Sequence, residues 1–291
     1  MAATAPIAPD PPADPPGDGA PPPALIVRRH RLGTRLWHWV NALTVFVMLM
    51  SGLMIFNAHP RLYWGEYGAN ADHAWLEIGS TADQGFLRIG GAIVPTTGVL
   101  GRWRDGEGKV QRRAFPGWAT IPSHYSLASA RRWHLAFAWL LGLGLLSFLV
   151  ASLVNGHARR DLAPTRDELR PRHIWHDIAD HARLRFPRGE AALRYNILQK
   201  LAYVGVIFAL IPLLILTGLT MSPQMDAAWP WLLDLFGGRP SARSVHFIAA
   251  VLIALFILLH LLMVVLAGPI NEVRSMITGR YRVPPERTVE A

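Results

Sequence analysis

The chain has 291 residues, 51% of them apolar and only 17% charged, against about 25% charged in soluble proteins. The apolar excess is gathered into four nearly charge-free stretches of about twenty residues, which argues against an ordinary soluble enzyme and for a polytopic membrane protein. The absence of cysteine excludes an iron–sulfur cluster, a thiolate metal site, a covalently attached c-type haem and a disulfide, and the net charge of +9 needs no nucleic-acid partner, since topology accounts for it.

Residues 1–24 hold nine prolines and no Lys or Arg, so they lack the basic and apolar regions of a signal peptide and read as a disordered tail. The main unit follows over 25–280. Its first membrane helix is predicted over 36–56, behind the basic cluster Arg28, Arg29, Arg31 and Arg35. A long loop over 57–132, rich in Gly, Pro and Trp, is expected to be partly ordered, with a hairpin, on one face of the bundle. The other spans are predicted over 133–154, 197–221 and 245–267, separated by a loop over 155–194 and followed by a tail over 281–291. Each span can cross about 30 Å of hydrocarbon at about 1.5 Å per residue. The fold class is therefore all-α, a four-transmembrane-helix bundle with a long outer-side loop between helices 1 and 2.

Positive charge decides the orientation. Nine arginines lie between the second and third spans, and only Arg239 and Arg243 between the third and fourth. The positive-inside rule then places the 155–194 loop and both termini in the cytoplasm and the 57–132 loop outside, in a bacterial inner membrane.

Twelve histidines are present, and most lie in loops or tails. His173, His176 and His181 look like a metal group, but on a helix they fan over about 140°, and the segment reads better as an amphipathic interfacial helix. His38, His134, His246 and His260 lie at or inside the spans, where ionisable residues are rare and usually functional. His246 and His260 are fourteen residues apart, within about 40° of the same helix face and separated by a rise of about 21 Å. His134 and His246 both open spans from the outer side. His38 and His260 belong to the cytoplasmic half, provided that helix one begins before Arg35 or helix four runs past Gly268.

Two cross-helix pairs at two depths are how a bundle would hold two haem irons, each by both axial positions, as a one-electron wire. The alternative is four interfacial histidines that snorkel or bond to backbone. The third span has no histidine and is expected to close the bundle, kinked at Pro212.

The sequences Arg35-Leu36-Trp37-His38-Trp39 and Arg132-Trp133-His134, with the spacing from His246 to His260, resemble the group of bacterial cytochrome b561, nickel-iron hydrogenase b-type cytochrome and formate dehydrogenase gamma subunits. That resemblance covers about residues 28–280 and implies a membrane subunit with two b haems that passes electrons between quinone and a partner oxidoreductase. The loop sequence His59-Pro60-Arg61-Leu62-Tyr63-Trp64 and the ending Gly268-Pro269-Ile270-Asn271-Glu272 are similar to thiosulfate reductase cytochrome b subunits, which by family association accompany molybdopterin-dependent enzymes.

A quinone site near one haem would draw on Tyr195, Asn196, Gln199, Lys200 and Tyr203, which ordinary interfacial anchoring also explains. Arg35 and Arg132 are candidates for the haem propionates, or for topological anchors. Two other functions remain: a self-contained quinone-linked oxidoreductase such as a superoxide oxidase, and a haem-free anchor or transporter.

Overall fold

The computed structural model describes residues 26–69, 72–156, 163–183 and 196–283. The proline-rich tail, Tyr195 and parts of the 155–194 and 281–291 segments lie outside them.

Strand β1 (Ile26–Arg28) leads into helix α1 (Leu32–Phe56). Six short strands follow: β2 (Arg61–Leu62), β3 (Leu76–Ser80), β4 (Gly85–Ile89), β5 (Ala92–Pro95), β6 (Trp103–Arg104) and β7 (Val110–Gln111). Helix α2 (Leu127–Val154) returns through the bundle, its first turn capped by Ser126, whose hydroxyl accepts the Ser129 N–H. A short helix α3 (Pro171–Ala182) precedes the third span, which is made of α4 (Ile197–Gly205), a π turn over Val206–Leu210 and α5 (Ile211–Thr220). Two further short helices, α6 (Pro223–Ala228) and α7 (Pro230–Leu235), lead to the long α8 (Arg239–Ala267), then α9 (Pro269–Thr278) and β8 (Arg280–Arg282).

Four helices among the described residues are long and apolar enough to cross a membrane: Leu32–Phe56, Leu127–Val154, Ile197–Thr220 and Arg239–Ala267. Three of them start four to six residues before the apolar stretch, because hydrocarbon thickness limits the apolar run and not the helix. Pro212 does not bend the third span alone. Its ring would clash with the carbonyl four residues back, at Phe208, and the π turn around Phe208 is where the ladder gives way.

Helix α1 packs along α2, and α5 along α8, more closely than the two pairs approach each other. Most of the fully buried residues of these helices are small, Thr44, Ser51, Ala130, Thr217, Thr220 and Ala249 among them, with Met54 the large exception. That is the packing expected in lipid, where close backbone approach replaces the hydrophobic drive. Leu141, Leu145, Ile211 and Ile253 form an apolar centre, with Val45 of α1 against it. Leu252, Leu255, Leu259 and Leu262 of α8 face outward.

The ends of the bundle differ. At one end β1 and β8 pair antiparallel, so the two ends of the described chain meet. The reversal after α8 falls at Gly268, with φ +109, where an L side chain is strained, and Pro269 starts α9. At the other end the 57–126 segment forms a cap, with a four-stranded antiparallel sheet in the order β2-β3-β4-β5 and a β6-β7 hairpin. The spans are all-α, as the sequence predicts, but the loop contributes sheet that an all-α reading omits.

Phe56, Leu62, Leu76, Ile78 and Ala114 form the cap's own core, and Phe247 of α8 packs into it. Glu77, 6% exposed, holds Arg61 at 2.8 Å and Arg88 in an ion pair across the sheet. Trp75 Nε1 donates to Ser244 Oγ (2.9 Å), and Ser244 Oγ to the Tyr63 carbonyl (2.6 Å), which ties the cap to the start of α8.

Candidate functional site

Helix α8 runs unbroken from Arg239 to Ala267, so His246 and His260 sit on one rigid rod at two depths. At the cap end, His246 meets His134 of α2 with ring centres 6.3 Å apart and planes at 58°. At the other end, where β1 and β8 pair and the ends of the described chain meet (the termini end), His260 meets His38 of α1 with centres 6.4 Å apart and planes at 56°. The second pairing is possible because α1 begins at Leu32, more than a turn before His38, while α8 stops at Ala267.

The separations can be tested against one metal atom. An imidazole nitrogen lies about 1.1 Å from its ring centre and a metal–imidazole bond is about 2.0 Å, so two rings on opposite sides of one metal have centres about 6.2 Å apart. Both pairs have that spacing. At the termini end, Arg35 Nε, His38 Nδ1 and Asn41 Oδ1, spaced three apart on α1, are buried without a hydrogen-bond partner among the described residues. Buried polar atoms are ordinarily satisfied, so this interior suits a large apolar ligand with polar edges, which is the character of a haem.

The cap-end imidazoles have firm seats. Ser51 Oγ of α1 lies 3.0 Å from His134 Nδ1, and Thr217 Oγ1 of α5 lies 2.9 Å from His246 Nδ1. Both residues are fully buried. Each is followed by a glycine on which the ring edge rests: a Cβ at Gly52 would stand 3.4 Å from His134 Cε1, and one at Gly218 3.6 Å from His246 Cε1. The third span therefore does more than close the bundle, since Thr217 and Gly218 hold a histidine. These four residues escape a search for charged or metal-binding side chains. The repeated triplets Ser51-Gly52-Leu53 and Thr217-Gly218-Leu219 are the signal that could have found them.

At the termini end the packing is aromatic. His260 stacks on Phe256 at 5.9 Å, and Trp37, beside His38, stacks on Phe148 of α2 at 6.0 Å. Gly144 makes room for that indole, because a Cβ there would lie 2.3 Å from Trp37 Cζ3. Next to the site, burial and then the Arg29 guanidinium push the His30 imidazole down to about 4, with His38 and Arg35 adding to the effect.

Other expected site residues are placed differently. Arg35, one turn before His38, stays half-buried on the same side. Arg132 is exposed and donates to Ser129 Oγ at 3.2 Å; two residues before His134 means about 200° around the helix, so it points away from the pair. Arg243, three residues before His246, is a half-buried guanidinium at the cap end. It donates to the His59 carbonyl at 2.5 Å and lies over the Phe56 ring.

Asn196 and Gln199 form a capping box at the start of α4, with Gln199 N–H donating to Asn196 Oδ1 at 2.8 Å and Asn196 N–H to Gln199 Oε1 at 3.3 Å. Asn196 Nδ2 also reaches His181 Nε2 at 3.2 Å. Lys200 Nζ pairs with Glu168 at 2.8 and 3.0 Å, which holds that carboxyl below its usual range. Of the polar residues expected at a quinone site, Asn196 and Lys200 thus tie the 163–183 segment to the third span, while Gln199 closes the capping box. His176 pairs with Asp180 at 3.2 Å, and His181 Nδ1 lies 2.7 Å from the Asp177 carbonyl.

Comparison with known proteins gives the arrangement a family. A protein of Azospira oryzae bearing the name protein-methionine-sulfoxide reductase subunit YedZ1 is 25% identical over 232 residues, which are 80% of this chain and 87% of that one. The model of the prokaryotic cytochrome b561 family matches residues 29–279, from the basic cluster before α1 to the end of α9. The chain belongs to the prokaryotic cytochrome b561 family, membrane b-type cytochromes that carry electrons.

Proposed function

We propose that this chain is the membrane electron-transfer subunit of an oxidoreductase, holding two b haems stacked along α8. His134 and His246 would bind the cap-end haem, and His38 and His260 the termini-end one. The observation that carries the reading is the pair of ring separations, 6.3 and 6.4 Å, each the span of one metal between two imidazoles. Held by two histidines, each haem would supply a one-electron iron couple.

The chain's own residues supply the rest. Arg35 and Arg243 are the half-buried guanidinia beside the two pairs, placed to donate to propionates. Leu141, Leu145, Ile211 and Ile253 keep water out between the two depths, about 21 Å apart along α8. The basic residues Arg28, Arg31, Arg274, Arg280 and Arg282 gather where β1 and β8 pair, which supports a cytoplasmic location for that end in a bacterial inner membrane.

Quinone would exchange electrons near the start of α4, beside the Asn196–Lys200 segment whose polar groups serve the capping box and the Glu168 ion pair. The cap would face the partner. The relative's name, that of a reductase subunit, supports a partner oxidoreductase, and the resemblance to thiosulfate reductase cytochromes implies one of the molybdopterin-dependent class or similar.

The test is haem content, a reduced-minus-oxidised spectrum and a potentiometric titration of the purified chain and four variants. The expected result is about two haems in the parent. His134→Ala and His246→Ala should lose the same one, and His38→Ala and His260→Ala the other. Loss of the same haem from His134→Ala and His38→Ala would refute the pairing, and a colourless parent after full haem supply would refute the whole reading.

A further inference from the structure

We infer that Ser51 and Thr217 are positioning residues that lock His134 and His246 as the Nδ1–H tautomers, leaving Nε2 as the unprotonated nitrogen of each ring. The argument is a count of hydrogens. A hydroxyl has one proton to give. Ser51 Oγ lies 2.7 Å from the Val47 carbonyl and 3.2 Å from that of Met48; Thr217 Oγ1 lies 2.6 Å from the Leu213 carbonyl and 3.2 Å from that of Leu214. Carbonyl oxygens only accept, so each hydroxyl proton is committed to its own helix backbone. What the hydroxyl turns toward the imidazole is a lone pair. The contacts of 3.0 Å to His134 Nδ1 and 2.9 Å to His246 Nδ1 are hydrogen bonds only if the imidazole donates. A ring that carries its proton on Nδ1 has its free lone pair on Nε2, the state an iron requires.

The two seats repeat each other. Each hydroxyl residue belongs to the helix packed beside the histidine's own, α1 beside α2 and α5 beside α8, and each is followed by the glycine that receives the ring edge. Among the described residues, His38 Nδ1 is buried with no partner. Both tautomer and ring direction at the cap end are therefore settled before a ligand arrives, whereas at His38 they are not.

This inference rests on the haem assignment above, and its test separates the two. The full-length haem-loaded protein is compared with Ser51→Ala, with Thr217→Val, which keeps the side chain's shape, and with Thr217→Ser, which keeps the hydroxyl. Three quantities are read for each haem: retention against a haem-scavenging protein, midpoint potential, and the low-spin ferric electron paramagnetic resonance signal, which reports the ring planes. Loss of an orienting partner of a ligating histidine costs about 10- to 100-fold in affinity. The expected outcome is a loss of that size, with a shifted potential and signal, at the cap-end haem of Ser51→Ala and Thr217→Val. Thr217→Ser should behave as the parent, and the termini-end haem, unchanged in all variants, reports an intact fold. Unchanged cap-end signals in both Ser51→Ala and Thr217→Val, or equal damage from Thr217→Ser, would overturn the inference. If His134→Ala and His246→Ala also leave every haem signal intact, it is the underlying assignment that fails.

Discussion

Replacing Gly144 by alanine should damage the termini-end histidine pair from across a helix interface. The new Cβ would lie 2.3 Å from Trp37 Cζ3 and 2.6 Å from Cη2, whereas carbon atoms in contact settle at about 3.5 Å or more, so something must move by over an ångström. The indole cannot simply swing aside, because it stacks on Phe148 with planes 12° apart. Giving up that stack costs about 0.5–1.5 kcal/mol, and an off-rotamer side chain costs a similar amount. The alternative is retreat of α1 from α2, so the loss falls at about 1–3 kcal/mol either way. Trp37 is adjacent to His38, and a shift of that turn alters the 6.4 Å separation from His260, while metal–ligand distances tolerate only about 0.2 Å. His134, ten residues earlier on α2, is about 15 Å away along the axis and should be spared.

Gly144→Ala should therefore retain the cap-end haem and lose much of the termini-end one, with a lower thermal midpoint, by optical titration and calorimetry. Gly142→Ala is the control, since a Cβ there meets nothing within 4 Å. Parent-level haem and stability in Gly144→Ala, or equal damage in Gly142→Ala, would refute the reasoning.

Two further outcomes concern the ends of the bundle. Glu77→Gln leaves the Arg61 and Arg88 guanidinia without their shared carboxylate across the cap sheet; discounted for the partial exposure of both arginines, the cost is about 2–3 kcal/mol, seen as faster proteolysis within residues 57–126 while the spans stay intact. His30, held at about 4 in the folded protein against 6.5 unfolded, stays neutral while the unfolded chain takes up a proton, so its contribution is present above pH 6.5 and is lost as pH falls toward 4. Allowing for its partial exposure, about 1–2 kcal/mol should vanish across that window in the parent and not in His30→Gln, by thermal midpoints at pH 7 and 4.5; parallel pH profiles would count against it.

How much of this was legible in the sequence depends on whether a feature is set by one helix or by two. The spans and the depths of the four histidines follow from chain direction and about 1.5 Å per residue, quantities internal to each helix. The helix starts at Leu32, Leu127 and Arg239 were not, because the apolar pattern ends at the hydrocarbon edge while the backbone ladder continues into the polar zone. Of the cap sheet only a hairpin was legible, and β4–β5 supplies one; the rest was hidden for another reason. Its strands are two to five residues long, too short for alternation to register, and β5 is exposed along its whole length.

The site divides along the same line. Arg35 and Arg132 looked equivalent as arginines shortly before a histidine, yet three residues are about 300° and two are about 200°, so the first stays on the ring's side and the second leaves it. Asn196 and Gln199 read as donors for a ligand, but a polar residue at a helix start first meets the orphan N–H groups of its own first turn, and that local demand takes them. Ser51 and Thr217 failed in the opposite direction. Inside a lipid-embedded helix such hydroxyls ordinarily bond back to the carbonyl four residues earlier, and both do. Their second contact exists only because a neighbouring helix brings a histidine to the free lone pair, and nothing in one helix's pattern records which helix lies beside it. The device is legible only once the pairings of α1 with α2 and α5 with α8 are known.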